Sequence, residues 1–539
     1  MFYLSNHDLL QIDNTYLESL SMPELLSVSK KLLTDLKEAH ERLNQNPTNS
    51  SLPPGSRPPY KGIIIDDDLD ADEEESMNDT HLFKGRTSNS SDEDDLTGNE
   101  SVEENEQQDS QESEENISDD IEAPPVSSKG KRGKQFGAPG FGRKQVIPPG
   151  ETEVHRGENC AACGASLSLD APFVGRMGFD ILEIELGSHE RPGISLTCTR
   201  HIYGETLCEC GHKTLTMPGY GEKYEVEGRK QATCLSEWRL IGPLLSSLIV
   251  CLAKRMRLSR ARIREFLKDW LNLELSTGVI NQCIHEAGLA AAPVYEQLIE
   301  EIRNSGLVYV DETSWKEHGT ALWLWVFVTA NIVLFTVGRR TRQVLLDILT
   351  EEYAGWLMSD GFISYRVFRK RLRCLAHLIR KGRGLSESLN REAREFGKKA
   401  LNMFEYVIKQ VRDGPNAVEY RPKLEEFRRY CELHKDSSHK KTRALAREFL
   451  NDWDAIWAVL DTPNLPITNN EAERALRHWV IARLLSHGTR TSEGSRVFAI
   501  LATVIETCRK RGFSPWSYLA AVIKERRKGN AAPPLPAMT

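Results

Sequence analysis

The sequence has no apolar run of transmembrane length, and Met1-Phe-Tyr-Leu-Ser-Asn-His-Asp does not read as a signal peptide. Both absences predict a cytoplasmic chain without membrane contact. Cysteine is scarce, odd in number at 11, and unevenly spread. That pattern argues against a disulfide framework and for a reducing compartment with a metal site. Aromatic residues make up 8% of the chain, and residues 66–122 have almost none. Such a stretch cannot bury enough apolar surface to hold a core, and it is predicted to be disordered.

What is present is charge, unevenly placed. The formal net charge is −8. Residues 66–122 carry 24 Asp and Glu against 2 Lys and Arg, a net of −22, which leaves +14 for the rest. A basic body suits a polyanionic partner, and the acidic block would compete with that partner. A chain of 539 residues is also too long for one ordinary core.

Composition divides the chain. Residues 1–47 form a leucine-rich helical region in which Leu25, Leu26, Leu32, Leu33, Leu36 and Leu43 recur at helical spacing. It reads equally as a self-associating coiled coil or as an amphipathic helix packed on its own body. Residues 48–127 read as a disordered acidic linker and 128–150 as a basic Gly/Pro linker. Lys129, Lys131, Arg132, Lys134, Arg143 and Lys144 of the second linker are candidate phosphate contacts. Residues 151–225 hold a dense Cys/His segment. Residues 226–305 read as helical, all-helical from 234. There, 258–267 and the stretch from Leu273 resemble two helices joined by a short turn, with Ser276 capping the second. That pair fits either a helix-turn-helix DNA reader or a plain helical hairpin.

From residue 306 the pattern changes to strands. Residues 307–310 form the first; 321–329 and 332–337 flank Ala330-Asn331 and read as a hairpin. An amphipathic helix over 341–349 precedes a fourth strand at 355–359. After a short helix, 372–378 reads as a fifth. This order, β-β-β-α-β-α-β, is that of ribonuclease-H-like folds. The first part of this domain spans 306–383, a charged all-helical insertion 384–462, the second part 463–525, and a flexible tail 526–539.

Three acids sit at telling places: Asp311 in Leu307-Val-Tyr-Val-Asp-Glu-Thr, Asp360 in Trp356-Leu-Met-Ser-Asp-Gly, and Glu473 in Thr468-Asn-Asn-Glu-Ala-Glu-Arg. The first two each end an apolar run, and the third lies in the first turn of a predicted helix. Each has an ordinary reading as well. Asp311 can cap a strand-end turn, Asp360 can serve the turn before Gly361, and Glu473 can close a capping box with Asn470 as N-cap. Strand alternation points Glu312 away from Asp311, so only one of them joins a site. Three carboxylates meeting at one point repel each other unless a hard divalent cation sits between them. Two such cations can activate a water or hydroxyl and stabilise the leaving oxygen of a phosphodiester.

Tyr309-Val-Asp-Glu-Thr, Ser359-Asp-Gly, Cys374-Leu-Ala-His-Leu-Ile-Arg, Thr468-Asn-Asn-Glu-Ala-Glu-Arg-Ala-Leu-Arg, Ser492-Glu-Gly-Ser-Arg and Ile505-Glu-Thr-Cys carry a family resemblance. Through them the chain resembles transposases of the insertion sequence 66 family. The likeness covers residues 125–525 in outline, plus the leucine-rich helix; the acidic block departs from the family's short linker. It implies a multidomain α+β protein. Zinc-binding and helical DNA-binding regions would precede a ribonuclease-H-like α/β catalytic domain with an all-helical insertion. It implies a DDE triad at Asp311, Asp360 and Glu473, with Mg²⁺ or Mn²⁺ as cofactor. One ion would be shared by the two aspartates, and Glu473 would complete the second site. The implied activity is nicking at the terminal repeats, then attack of the freed 3′-hydroxyl on target DNA. Implied partners are DNA, a second copy or larger assembly, and accessory proteins of the element, in the nucleoid. The rivals are an inactive DNA-binding derivative and a nuclease that does not join.

Cys160-Ala-Ala-Cys163-Gly and Cys208-Glu-Cys210-Gly form two knuckle-like pairs suited to a closed structural zinc site. Reduced, buried cysteines are the bland reading, and Cys198, His201 or His212 could replace one ligand. The resembled family has a zinc-finger-like domain here with Cys-x-x-Cys as its second pair, which makes Cys208 the least settled ligand. Cys374 and His377, placed on a strand, would face opposite sides; they read as a core Cys and a His near the acids. Arg474 and Arg477 flank Glu473 and could hold a substrate phosphate or form ordinary ion pairs. Trp315, Trp323 and Trp325 read as core.

Overall fold

The computed structural model describes residues 17, 20–43 and 145–537, apart from 191, 227, 228 and 463. The acidic block and the cations Lys129, Lys131, Arg132, Lys134, Arg143 and Lys144 lie outside the described residues. Helix α1 (Met22–Leu43) opens with a capping box, Ser21 N and Oγ both donating to Glu24 Oε2. Leu26, Leu33 and Leu36 of its stripe are exposed. Among the described residues, no helix is long and apolar enough to cross a membrane.

The Cys/His segment builds a small sheet. Its strands are β1 (Glu151–His155), β2 (Phe173–Leu186), β3 (Ile194–Leu207) and β4 (Lys213–Leu215), in the order β1-β3-β2 with β4 on β3. β1 runs parallel to β3, and β2 antiparallel. A hairpin of β5 (Tyr220–Val226) and β6 (Arg229–Ser236) follows, so strand structure continues past residue 234, where helix was expected.

Helices α2 (Pro243–Lys254), α3 (Arg260–Leu271) and α4 (Thr277–Arg303) come next. Ser259 and Ser276 cap α3 and α4, accepting from the N–H groups of Arg262 and Val279. The left-handed Asn272 ends α3. α4 buries fourteen of its 27 residues, from Ile280 to Ile302, so its later turns are a core spine. Thr277, Gly278 and Gln282 in its first turns stay exposed.

The second sheet has the order β11-β10-β7-β8-β9. Its strands are β7 (Leu307–Glu317), β8 (Thr320–Val328), β9 (Val333–Gly338), β10 (Trp356–Ser359) and β11 (Arg371–Arg373). β7, β8 and β9 form an antiparallel meander, and β10 is parallel to both β7 and β11. Helix α5 (Arg342–Leu349) precedes β10, and a 3-10 turn (Ile363–Val367) precedes β11. Two expectations change. β7 does not stop at residue 310 but pairs with β8 as far as Glu317↔Thr320, closed by His318 and Gly319 at positive φ. The fifth strand ends at Arg373. There Cys374 N–H turns to Ser359 O and Leu375 N–H to Ile467 O, and Leu375, Leu378, Gly382 and Leu385 bury the inner face of a helix instead.

That helix, α6 (Leu375–Ser386), opens the insertion, completed by α7 (Arg391–Asp413), α8 (Ala417–His434), α9 (Lys440–Asn451) and α10 (Trp453–Asp461). It is all-helical, as expected, with its own core of Phe396, Phe404, Phe427, Phe449 and Trp457. A fully buried side chain of this size is worth about 1.5–3 kcal/mol in burial. Beside that core, Arg373 binds Asp452 and Glu448, Lys381 binds Glu448, and Arg366 and Arg371 bind Asp452.

The chain returns as α11 (Asn470–Ser486), α12 (Ser492–Lys510) and α13 (Pro515–Arg527). α12 covers the free edge of β9, where Thr507 and Thr503 hydroxyls accept the Val333 and Phe335 N–H groups. The tail expected to be flexible is seated through Pro536: Arg511 and Tyr518 donate to the carbonyls of Pro536 and Pro533, and Ala532 and Leu535 pack on the core. Trp315 and Trp325 are core residues, and Trp323 packs against the core from its edge.

Candidate active site and cysteine cluster

Register positions the first two acids. Tyr309 on β7 pairs with Met358 on parallel β10. Asp311 lies two residues further along β7, and Asp360 two residues beyond Met358, just past the end of β10; paired strands run about 4.8 Å apart. Asp311 Oδ1 accepts only from Glu312 N–H, at 2.9 Å, and Asp360 Oδ1 from Phe362 N–H, at 2.9 Å. The turn after Asp360 is tight. A Cβ on Gly361 would lie 2.6 Å from Arg373 Nη2.

Glu473 arrives on α11. Ala472, Leu476 and Trp479 of that helix bury against the sheet with Trp315, Val326 and Phe335. The helix start is tied down by Asn469, which is fully buried. Its Nδ2 donates to Val310 O at 2.9 Å, and its N–H to Cys374 Sγ at 3.3 Å. Cys374 N–H in turn donates to Ser359 O at 3.0 Å. One relay of hydrogen bonds thus joins the residues before Asp311 and Asp360 to the start of the helix bearing Glu473. The expected capping boxes are absent. The N-cap is Asn469, not Asn470 or Thr468, and its side chain makes no cap bond: Nδ2 donates to Val310 O while Oδ1 is buried without a partner.

Asp311 and Glu473 both gain proton affinity. Burial pushes the Asp311 carboxyl well above the usual carboxylate range, and Asp360, Glu312 and Glu473 add to it. Burial also raises Glu473, with Arg380 and Arg477 opposing and Asp360 reinforcing. Among the described residues, no Lys, Arg or His comes within ion-pair distance of Asp311 or Asp360. The three acids do not form one cluster within 4.8 Å; the set at that distance is Cys374, His377 and Glu473.

Glu312 faces the other way, as alternation requires. Arg340 binds its Oε1 at 2.7 Å and Tyr365 OH its Oε2, while Arg340 stacks on Trp323 and Phe362. Two residues stand beside Glu473: His377, expected near the acids, and Arg380, which the sequence left unassigned. His377 Nδ1 is 3.7 Å from its Oε1, and Arg380 Nη2 is 3.9 Å. Burial and then Arg380 push the His377 imidazole down to about 4, so it is neutral near pH 7. His377 Nδ1 and Glu473 Oε1 are both buried without a hydrogen-bond partner. Arg477, one turn after Glu473, adds positive field to it; Arg474 is exposed and lies 3.8 Å from Glu471.

The four cysteines converge as expected, Cys208 included. Cys160–Cys210 and Cys163–Cys208 Sγ distances are both 3.7 Å, and all four sulfurs lie within 4.8 Å. Sulfurs tetrahedral about zinc at 2.3 Å stand about 3.8 Å apart, so the cage fits that ion. Gly164 and Gly211 supply the positive φ that closes each knuckle. N–H groups of Cys163 and Ala162 draw the Cys160 thiol down to about 6. Cys198 points to Ile147 O, His201 pairs with His155, and neither joins the cage.

Residues 239–497, which include all three acids, match the family model described as "Transposase IS66 family". Over that span the chain is similar to this family. It is 24% identical over 276 residues to "Uncharacterized protein y4jD" of Sinorhizobium fredii (strain NBRC 101917 / NGR234), covering 44% of this chain and 53% of that protein. It is 24% identical over 302 residues to "Uncharacterized protein y4qI" of the same strain, covering 49% and 55%. The chain thus spans about half the length of these two relatives.

Proposed function

We propose that this protein is a DDE transposase with a ribonuclease-H-like catalytic domain, cutting DNA at an element's terminal repeats and joining it to a target. The observation that carries this reading is the placement of Asp311 on β7 and Asp360 just past the end of the adjacent parallel strand β10, each two residues beyond the Tyr309–Met358 pair, with the start of the Glu473 helix tied to both through Asn469. The strand order β11-β10-β7-β8-β9, with a three-strand meander and two parallel additions, supports the fold assignment.

Divalent metal fits this site. Burial, Asp360 and Glu473 oppose the ionisation of Asp311, and among the described residues no cation pairs with Asp311 or Asp360, which suits a hard ion with oxygen ligands. Asp311, Asp360 and Glu473 would hold Mg²⁺ or Mn²⁺. Bound there, such ions supply Lewis-acid charge and a more acidic nucleophile for phosphodiester chemistry. The protein's own residues do the positioning. Asn469 fixes Glu473 against β7, His377 presents a neutral nitrogen beside it, and Arg380 and Arg477 offer charge to a phosphate. The thiolates of Cys160, Cys163, Cys208 and Cys210 would hold a structural zinc in the end-binding region, and a dimer or larger assembly would bring two ends together.

An inactive derivative would have no reason to keep three acids in register. The test is labelled terminal-repeat DNA with Mg²⁺ and a target plasmid. The wild-type protein nicks and joins; Asp311→Ala, Asp360→Ala and Glu473→Ala bind the end but do neither. Full activity in Glu473→Ala overturns the assignment. Nicking without joining in the wild type identifies a plain nuclease.

A further inference from the structure

Away from the three acids, one face of the β1-β3-β2 sheet carries another set of converging side chains. Glu153 and His201 are partners across the parallel β1–β3 pair, and His155 and Tyr203 are the next partners on that face. Phe179 of β2 sits opposite His201. The rings hold the imidazoles in plane. His155 stacks on Tyr203 with centroids 4.1 Å apart and planes 9° apart, and Phe179 stacks on His201 at 5.7 Å.

The nitrogens then face each other. His155 Nε2 lies 2.8 Å from His201 Nδ1, and the same Nδ1 lies 3.4 Å from Glu153 Oε2. All three ligand atoms fall within 4.8 Å of one another. Two neutral imidazole nitrogens facing each other at 2.8 Å have room for one N–H between them. If His155 donates it, the Glu153 oxygen faces a bare nitrogen lone pair. If His201 donates it, two acceptors share one hydrogen. A cation at the centre satisfies all three lone pairs at once.

We propose that Glu153, His155 and His201 form a second metal site, for a first-row divalent ion such as Zn²⁺, Co²⁺ or Ni²⁺, independent of the four cysteines. Imidazole with carboxylate is a donor set these ions accept. Ligand atoms around tetrahedral zinc at about 2.05 Å stand roughly 3.3 Å apart. The Glu153–His201 spacing already matches, and the two imidazoles need to part by roughly half an ångström, a small side-chain rotation. The set borders a groove of about 760 Å³ with α13 residues Ser517 and Ala520 on its other wall, which gives an ion access and leaves room for water as a further ligand. The ion would cross-link β1 to β3, a parallel pair only five residues long. It would pin the strand at the exit of the basic linker.

The test counts metal on the full chain, and it does not depend on transposase activity. Wild-type protein is saturated with Zn²⁺, desalted into excess Mg²⁺ to displace Zn²⁺ from the carboxylate site, and analysed; the expected stoichiometry is two Zn²⁺ per chain. His155→Ala and His201→Ala should each bind one. Cys160→Ser with Cys163→Ser should lose the other. Cobalt loading separates the sites. Thiolate binding gives intense near-ultraviolet charge-transfer bands, while the second equivalent should add only weak visible bands that vanish in the histidine variants. The retained thiolate bands in His201→Ala report that the domain is folded, so the missing equivalent is the loss of the site. One ion per wild-type chain with thiolate bands alone, or two ions in the His155→Ala/His201→Ala double variant, overturns the proposal.

Discussion

Asn469 Nδ2 donates a 2.9 Å hydrogen bond to the carbonyl of Val310, so the residue before Asp311 holds the start of the helix that carries Glu473. Asn469→Ala removes that tether without touching an acid. Cleavage is expected to fall by roughly 10–100-fold, the range seen when supports of metal ligands are lost. The Mg²⁺ concentration for half-maximal activity should rise, while end-DNA affinity stays unchanged. A cleavage assay across a Mg²⁺ series decides; an unchanged metal requirement would assign Asn469 to stability alone.

His377 gives a second prediction. With its Nδ1 3.7 Å from Glu473 Oε1, it positions that carboxylate. His377→Ala should reduce single-turnover nicking by about tenfold or more. His377→Gln, which keeps a polar group in place, should recover part of it. Equal rates for both variants and the wild type would remove His377 from the site.

The cysteine cage makes a third. Cys208→Ser should lose the thiolate-bound zinc and specific end binding together. Cys198→Ser should keep both, because Cys198 Sγ points to Ile147 O and away from the cage. Metal analysis and gel-shift titration on the two variants check this, and zinc loss in Cys198→Ser would redraw the ligand set.

The fourth concerns acid. Burial alone would raise Asp452 and Glu448, but Arg366, Arg373 and Arg371 on the first and Lys381 and Arg373 on the second hold both below their ordinary values of 3.8 and 4.5. A carboxyl depressed in the folded state contributes stability above its unfolded value and loses it as pH falls through the folded one. The melting temperature should therefore drop as pH falls below about 4.5. Asp452→Asn should flatten its share of that slope. It should also cost about 3–5 kcal/mol near neutrality, because it leaves the buried Arg373 short of a partner. Parallel pH–melting curves for wild type and variant would expose an error.

The order of strands and the places of the three acids are legible in the sequence, because apolar runs and their polar ends are local signals. The cysteine pairs are legible for the same reason. The rest is held by contacts between distant residues. Arg373 and Asp452 are 79 positions apart, and nothing in either neighbourhood announces the pair. β7 outruns its apolar stretch because β8 pairs with the polar segment beyond Asp311, which propensity alone does not foresee. Asn469 sits where a capping residue belongs, and only the fold reveals that β7 claims its side chain. His377 reaches Glu473 because β11 stops short and its successor coils into α6.

The bond from Leu375 N–H to Ile467 O, 2.9 Å long, brings the two ends of the helical insertion together at the sheet. Between them the insertion also rests on the sheet, through Met358 and Leu372 in its core and through Arg366, Arg371 and Arg373. The cost of closing such a loop grows only with the logarithm of its length. The distance along the chain from Asp360 to Glu473 is thereby uncoupled from their distance in space. Length can be added between those two ends, away from the helix faces that meet the sheet and Arg366, Arg371 and Arg373, and the acids on either side keep their alignment.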